Sequence, residues 1–304
     1  MKFKLVTKKD LSKIQNLFFK TFKKKISKKF YKWRYFNLNS KSFINSKNKI
    51  IFHIGFVEKK INSLKKKLIL SRHSSIVHEK FQRKGIYSNF FINFIEKKDI
   101  IKKYCAIVTW PNKINLKTFR NIKRKYFYKK IFVYSNKHKF NKSKFNTNNF
   151  NKINNIIKFD FFNNLESKVS FFYKDKNYLV KRYINDPHQK YFFFSTNLKN
   201  TASIIIFSVN NVCSTRTIII QDFFGDKKNL DKTFEIFIKY LIKKKIPVAL
   251  WKFWNNNNKP SYLKNFKTLK NYQNIIIIPL YKYNIKLDKK ILTMGDNDTY
   301  MKLS

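Results

Sequence analysis

Gly85 is the residue whose type and position most invite a chemical question. The chain holds four Gly in 304 residues. This one stands between a strand-like stretch and an apolar helical stretch, in Val77-His78-Glu79-Lys80-Phe81-Gln82-Arg83-Lys84-Gly85-Ile86-Tyr87. A Gly there lets the backbone turn tightly and lets a ligand approach it closely. The N–H groups that open the following helix lack intrahelical partners, and the helix dipole favours an anion in front of them. Arg83 and Lys84 add positive charge. The physical expectation is a cradle for a phosphate or pyrophosphate, with a plain turn residue as the alternative reading.

The elements that must position this turn follow from hydrophobic spacing. Phe3 to Val6 reads as a short strand. Asp10 is expected to cap a helix carrying Leu11, Ile14, Leu17, Phe18 and Phe22. A second helical stretch runs from Lys28 to Phe36. Strands are expected at Ile50 to Val57, Lys67 to Leu70 and Ser74 to Phe81. A helix with Ile86, Phe90, Phe91, Phe94 and Ile95 on its apolar side follows Gly85. Tyr104 to Thr109 is a strand broken by Trp110-Pro111-Asn112, then Leu116 to Ile122 a short helix and Phe127 to Tyr134 a strand. The order is mixed α/β, a mixed sheet with flanking helices.

The second half echoes the first. Trp33-Arg34-Tyr35-Phe36-Asn37 resembles Lys181-Arg182-Tyr183-Ile184-Asn185; Phe91, Phe94 and Ile95 resemble Phe234, Phe237 and Ile238; Trp110-Pro111-Asn112 resembles Trp254-Asn255-Asn256. Three echoes in one order at nearly one offset predict two similar α/β units in tandem. The Asn- and Lys-rich segment from Lys137 to Lys158 is the expected linker, between domains at 1–140 and 160–304.

The Gly85 segment resembles the GNAT acyltransferase superfamily, whose cofactor loop reads Gln/Arg-x-x-Gly-x-Gly/Ala. Gln82-x-x-Gly85 fits that loop, while Tyr87 replaces its last small residue and Glu79 replaces the Pro of the preceding strand. The strand, the two helices that open the chain and the Asn-containing break at 110–112 agree with the same order of elements. The resemblance covers about 1 to 135. The Trp-Arg-Tyr helix end, the second copy and the closing Thr293-Met294-Gly295-Asp296-Asn297-Asp298 resemble a two-unit branch that recurs among surface-polysaccharide and amino-sugar enzymes.

This resemblance implies two tandem GNAT-like units and an acyl-CoA, acetyl-CoA in the first instance, lying between two splayed strands. It implies main-chain bonds to the pantetheine arm near Ile76 and Val77. The pyrophosphate would be held by amides of Arg83, Lys84, Gly85, Ile86, Tyr87 and Ser88, with Gln82 in the motif. A hydrogen bond from Asn112 would complete the site. The implied reaction is transfer of an acyl group to the primary amine of a small acceptor, with an amino sugar as one candidate. Positioning and polarisation of the thioester would supply most of the rate. The superfamily's acid, a Tyr on the helix after the last core strand, falls at Phe119, which cannot donate a proton. Tyr126 and Tyr128 are the substitutes in reach. Glu79, His73 and His78, on or beside the cofactor strand, are the candidates for the base that the amine requires. Direct transfer with water as base, or a fold that has lost catalysis and serves as a binding scaffold, are the alternatives, with a basic nucleic-acid-associated protein as the third and remotest reading.

The matching turn of the second half, Gln221-Asp222-Phe223-Phe224-Gly225-Asp226, has no Gln-x-x-Gly. Its Asp222 and Asp226 are expected to repel a pyrophosphate. One cofactor site is therefore expected, with the second unit structural or substrate-binding.

His53 and His188 are isolated, without partners at metal-ligand spacing, so no metal is expected. Asp296 and Asp298 form only a fragment of a calcium loop. Trp251 and Trp254 are expected in the core or an interface. The Lys runs at 23–25, 65–67 and 243–245 are expected to be solvated surface.

The formal net charge is +52, from 68 Lys+Arg against 16 Asp+Glu. Only seven of the 68 are Arg, leaving 61 Lys. The enriched Lys, Asn, Ile, Phe and Tyr have A/T-rich codons, and the scarce Gly, Ala, Pro and Arg have G/C-rich ones, so codon usage accounts for most of the charge. A nucleic-acid surface would use more Arg for forked phosphate and guanine contacts, and specific nucleic-acid binding is not expected. No apolar run approaches the length of a membrane span, and Met1 to Asp10 carries no signal-peptide pattern. The expectation is a cytoplasmic protein with Cys105 and Cys213 as buried free thiols. The sequence carries no sign of oligomeric state.

Overall fold

A computed structural model describes residues 2–45, 49–62, 67–119, 122, 124–140, 145–167, 170–196, 203–212, 214–225, 227–251 and 260–280. The chain folds into two compact units. Unit 1 runs to Lys129 and takes in the segment from Asn274; unit 2 runs from Lys130 to Gln273.

Unit 1 opens on β1 (Phe3–Leu5) and α1 (Leu11–Phe22). Asp10 does not cap α1 downstream as expected. Its carboxylate reaches back, accepting from the Thr7 amide at 2.9 Å and the Thr7 hydroxyl at 2.8 Å. Three residues apart at the start of a helical stretch, the two side chains satisfy each other's ends. Leu11, Ile14 and Leu17 are buried at helical spacing. After α2 (Lys28–Lys32) the helix widens into a π turn over Trp33–Asn37, a feature that often marks functional sites.

β2 (Ser40–Asn45), β3 (Phe52–Lys60) and β4 (Leu68–Val77) continue an antiparallel meander from β1. The two strands expected at 67–70 and 74–81 are one strand, β4, and Glu79–Phe81 is a 3-10 turn. α3 (Ile86–Ile95) and α4 (Lys98–Lys103) carry the chain to β5 (Ala106–Thr109), which is parallel to β4. α5 (Lys113–Phe119) and β6 (Phe127–Ser135) follow. The far edge of β5 is paired antiparallel by the end of the chain's last described strand, with Ile276, Ile277 and Ile278 opposite Thr109, Val108 and Ile107. Alternate residues of β3 divide the core. Phe52, Ile54 and Phe56 pack with Phe90, Phe91 and Phe94 of α3, whereas Leu11, Ile14, Tyr31 and Tyr35 cluster with Ile44 and Ile76.

Unit 2 repeats the pattern. β7 (Asn151–Lys152), β8 (Tyr191–Thr196), β9 (Ser203–Val212) and β10 (Thr215–Phe224) form an antiparallel series. α7 (Lys227–Lys243) then leads to β11 (Val248–Trp251), parallel to β10 and paired on its other edge with Val133–Ser135 of β6. Phe234, Phe237 and Ile238 pack on Ile218, Ile220 and Val248, as their counterparts do in unit 1. α6 (Lys176–Leu179) widens into a second π turn over Val180–Ile184, 147 residues after the first. β12 (Lys267–Pro279) ends the described chain.

Both units also share a β-bulge at one place. In β4 the register slips between Arg72 and Ser74, and in β10 between Ile220 and Asp222. This spacing is 148. The register aligns Trp110 with Trp251, which is buried in the core; Trp254, Cys213, Asp226, Asp296 and Asp298 lie outside the described residues. Cys105 is a buried free thiol that burial pushes up to about 11. Among the described residues no helix is long and apolar enough to cross a membrane.

Candidate functional site

β4 is flanked unequally. It pairs with β3 along its whole length, from Leu68 opposite Lys60 to Val77 opposite Phe52. It pairs with β5 only from Ile69 to Arg72, opposite Ala106 to Thr109. Beyond Thr109 the chain turns away at Trp110 and Pro111. Ser74 to Val77 therefore have a strand on one edge and a fork on the other. β5 itself ends at Thr109, so its pairing with β4 stops one residue before the bulge residue His73 and leaves the edge of Ser74 to Val77 without a described partner strand.

Strand alternation says which main-chain groups face the fork. The His78 amide donates to the Ile51 carbonyl at 2.8 Å. Successive residues point to opposite edges, so Ile76 and Ser74 are turned towards β3, and Ser75 and Val77 towards the fork. The Gln82 side chain donates to the Val77 carbonyl at 3.2 Å, tying the turn to the strand.

The turn brings Gln82, Arg83, Lys84, Gly85, Ile86, Tyr87 and Ser88 together at the start of α3. Gly85 adopts φ +73° and is the N-cap residue of α3, with no side chain capping the helix. The nearest atoms to a Cβ placed on Gly85 are those of the Asn89 carboxamide, at 3.8 and 4.0 Å. Gly85 thus serves backbone conformation and open approach rather than tight packing. Arg83 also has positive φ, at 62°, a strained state that clusters at functional sites. Lys80, Arg83 and Lys84 are exposed. Tyr87, the departure from the expected loop pattern, puts a buried ring under the Arg72 guanidinium, 5.5 Å from its centroid.

The acid–base candidates do not converge. Glu79 is exposed on its 3-10 turn. Tyr126 is 37% exposed and sets its ring edge against Phe119 at 6.5 Å. Phe119 is fully buried in the α3 core. The Tyr128 hydroxyl donates to Asn274 at 3.0 Å. The His78 Nδ1 accepts from the Lys80 amide at 3.3 Å. Asn112 accepts from the Asn115 amide at 2.8 Å, capping α5 with its carboxamide oxygen.

His73 is placed at the fork but is not a base. Its Nδ1 accepts from Arg34 Nε at 3.0 Å, and its carbonyl accepts from Arg34 Nη2 at 2.9 Å. In the neutral ring the proton then sits on Nε2. Burial first, and the Arg34 charge second, hold the imidazole well below its ordinary range. Gly55 makes room for it, since a Cβ there would lie 2.8 Å from His73 Cε1. Tyr35 closes the cluster, its hydroxyl 3.2 Å from Ser74 Oγ and its ring edge-on to His53 at 4.8 Å.

His53 is fully buried, with neither ring nitrogen hydrogen-bonded among the described residues, and burial together with Arg34 pushes it down to about 3. Its folded pKa lies below its unfolded one, so the unfolded chain binds more protons. Stability is then full above about pH 6.5 and is lost as pH falls below it, by about 1.4 kcal/mol per unit per histidine. At the matching position of unit 2 the residue is Ile204. His53→Ile is expected to raise stability at pH 7 by about 1–3 kcal/mol, by removing unsatisfied buried nitrogens. It should also flatten the decline between pH 6.5 and 4.5, read by urea unfolding at several pH values. A decline as steep as in the parent would contradict the assignment.

Two buried arginines escape a reading of the sequence alone. Arg34 and Arg72 are 6% and 5% exposed. Arg72 occupies the last paired rung before the fork, where Nε donates to Thr109 Oγ1 and Nη1 to Ser75 Oγ at 3.0 Å. Scarcity is the signal that could have found them. Seven Arg stand among 68 basic residues, and Arg72 interrupts an otherwise apolar strand start.

In unit 2 the acidic turn differs from expectation. Asp222 does not face a would-be phosphate. It is fully buried and pairs with buried Lys174 at 2.7 Å.

No family model matches the chain, and no curated protein sequence matches it. Solved structures do. A GCN5-related N-acetyltransferase from Anabaena variabilis matches with a TM-score of 0.63 at 9% identity, covering 92% of this chain and 73% of that one. A conserved protein of unknown function from Enterococcus faecalis matches with a TM-score of 0.60 at 11% identity, covering 90% and 71%. A GCN5-related N-acetyltransferase from Kribbella flavida matches with a TM-score of 0.57 at 7% identity, covering 92% and 72%. The chain has the GNAT fold.

Proposed function

We propose that the chain is an N-acyltransferase whose unit 1 binds an acyl-CoA, acetyl-CoA in the simplest case, and passes the acyl group to the primary amine of a small acceptor. The observation that carries this reading is the fork between β4 and β5, with an uncapped, Gly-hinged helix start on the same strand's exit. A thioester supplies an activated carbonyl and a stable thiolate leaving group. The pantetheine amides fit the main-chain groups of Ser75 and Val77, with Ile76 turned away to β3. The amides of residues 83–88 and the side chains of Arg83 and Lys84 suit a pyrophosphate. Asn112, its oxygen used on α5, offers only its NH2 group.

His73, held neutral with Nδ1 occupied, orients Arg34 rather than taking a proton. Water entering through the fork is the base that remains, and attack by the amine is direct. Rate then rests on positioning and on polarisation of the carbonyl. An amino sugar is one acceptor class consistent with the two-unit resemblance. Unit 2, with buried Asp222 in place of an anion-binding turn, is structural or substrate-binding. The two matched bulges and π turns support reading the units as tandem copies.

The test is calorimetry with acetyl-CoA, desulfo-CoA and a polynucleotide. Gly85→Glu places a strained backbone and a carboxylate where the phosphates would sit. It is expected to weaken acetyl-CoA binding by at least about 100-fold, since strain costs about 1–2 kcal/mol and charge repulsion in a partly buried site more. No binding of acetyl-CoA or desulfo-CoA by the parent chain sinks the reading. Binding without thiol release across a panel of amines identifies a scaffold instead of an enzyme.

A further inference from the structure

The two units set the same device in opposite electrostatic surroundings. Arg182 of the unit 2 π turn pairs with buried Asp186 at 3.4 Å, and Asp222 beside the bulge pairs with Lys174. Counting back 148 residues, the positions of Asp186 and Asp222 in unit 1 hold Leu38 and Ser74. Arg34, the counterpart of Arg182, is left with a neutral His73. The counterpart of Ile220 is Arg72. Unit 1 therefore buries two guanidinium groups around its fork, and neither touches a carboxylate among the described residues.

A buried cation without a counter-charge is costly, and the fold does not demand this one. Unit 2 builds the same rung and bulge with Ile220. Three of the neighbours of Arg72 are neutral: the hydroxyls of Thr109 and Ser75 and the ring of Tyr87. They orient the guanidinium without neutralising it, and among the described residues Nη2 makes no hydrogen bond. The residue lies at the apex of the fork, on the edge where β4 and β5 part. His73 Nε2, buried and without a hydrogen-bond partner among the described residues, marks a second unspent donor at the same bulge.

We propose that Arg72 receives a substrate carboxylate at the apex of the fork. The proposal rests on the acyl-CoA reading above and names the substrate class. The carboxylate is carried either by the acyl chain, as in a dicarboxylic acyl-CoA, or by the acceptor amine. The planar fork of Arg suits a carboxylate in two-point contact.

The experiment compares isosteres. Calorimetry with succinyl-CoA against butyryl-CoA reads the donor arm, because the two chains have similar length and differ in charge. Thiol release from acetyl-CoA with amino acids against their carboxamides reads the acceptor arm. A preference for the carboxylate of about tenfold or more is expected in one arm, the size of a single charge-assisted contact. In Arg72→Gln that ratio is expected to fall to about one. The arm that shows it identifies which substrate carries the group. Should Arg72→Gln fail to fold, Arg72→Lys keeps the charge and loses the two-point geometry, and the parent ratios decide the matter. Ratios near one in both arms, with acetyl-CoA still bound, overturn the proposal and leave the acyl-CoA reading standing. No binding of acetyl-CoA overturns both.

Discussion

A chain ending at Gln273 is expected to lose the cooperative unfolding of unit 1 and, with it, any affinity for coenzyme A. The reason is strand order. β5 lies between β4 and residues 276–279 of β12, so the truncation strips one edge of a four-residue strand that is wholly buried. Ile276, Ile278 and Leu280 are at most 1% exposed and belong to the cluster that holds Phe91, Ile107 and Phe119. Losing one such side chain costs about 2–5 kcal/mol. Losing three approaches the whole stability of an ordinary domain, about 5–15 kcal/mol. The exposed edge of β5 adds unpaired main-chain groups. The same argument applies to a fragment of residues 1–140. Hydrogen exchange is the direct measurement, with the amides of 52–57 and 106–109 expected to lose protection. Native protection there in the truncated chain would refute the account. Ile278→Asp in the full-length chain gives a second reading with one residue changed.

What could be read from the sequence was local. The Gln82–Gly85 turn, the apolar face of α3 and the break at Trp110-Pro111 each depend on a few adjacent residues, and each stands where expected. The tandem echo of Trp33-Arg34-Tyr35 and Lys181-Arg182-Tyr183 was legible as a pattern; that both stretches are π turns was not, because their side chains fit an ordinary helix as well. β4 read as two strands because Ser71-Arg72-His73-Ser74-Ser75 interrupts its apolar run. Those polar residues sit at the end of the β4–β5 pairing and at the bulge, so a break in regular pairing coincides with the break in the apolar pattern. The partner of β5 was illegible for another reason. Its register is set by residues more than 160 positions later, and nothing in either segment encodes the pairing. Arg72 and Arg34 were obscured by the codon bias that makes basic residues look uninformative, although that bias raises Lys and suppresses Arg.

Asp222→Ala is expected to destabilise unit 2 by about 3–5 kcal/mol, because it leaves a buried ammonium without its partner. Asp222 accepts from Lys174 Nζ at 2.7 Å, the Tyr183 hydroxyl at 2.9 Å and its neighbour Phe223's amide at 3.0 Å. Lys174 and Asp222 side chains are both fully shielded from solvent. In a unit of this size the loss corresponds to a fall in Tm of about 6–20 °C, at roughly 2–4 °C per kcal/mol. The double variant Lys174→Met with Asp222→Leu removes both charges together. Its apolar side chains of similar volume are expected to recover most of the loss, since the desolvation cost of the pair disappears with it. Calorimetric scans of the two variants beside the parent check both outcomes. A single variant within about 1 kcal/mol of the parent would mean that the pair is open to water. A double variant no better than the single would mean that Tyr183 and the Phe223 amide, not Lys174, are what Asp222 serves. The contrast matters for unit 1 as well. At the position of Asp222 it carries Ser74, whose hydroxyl lies 3.2 Å from that of Tyr35, so unit 1 has no carboxylate at the place where unit 2 buries one.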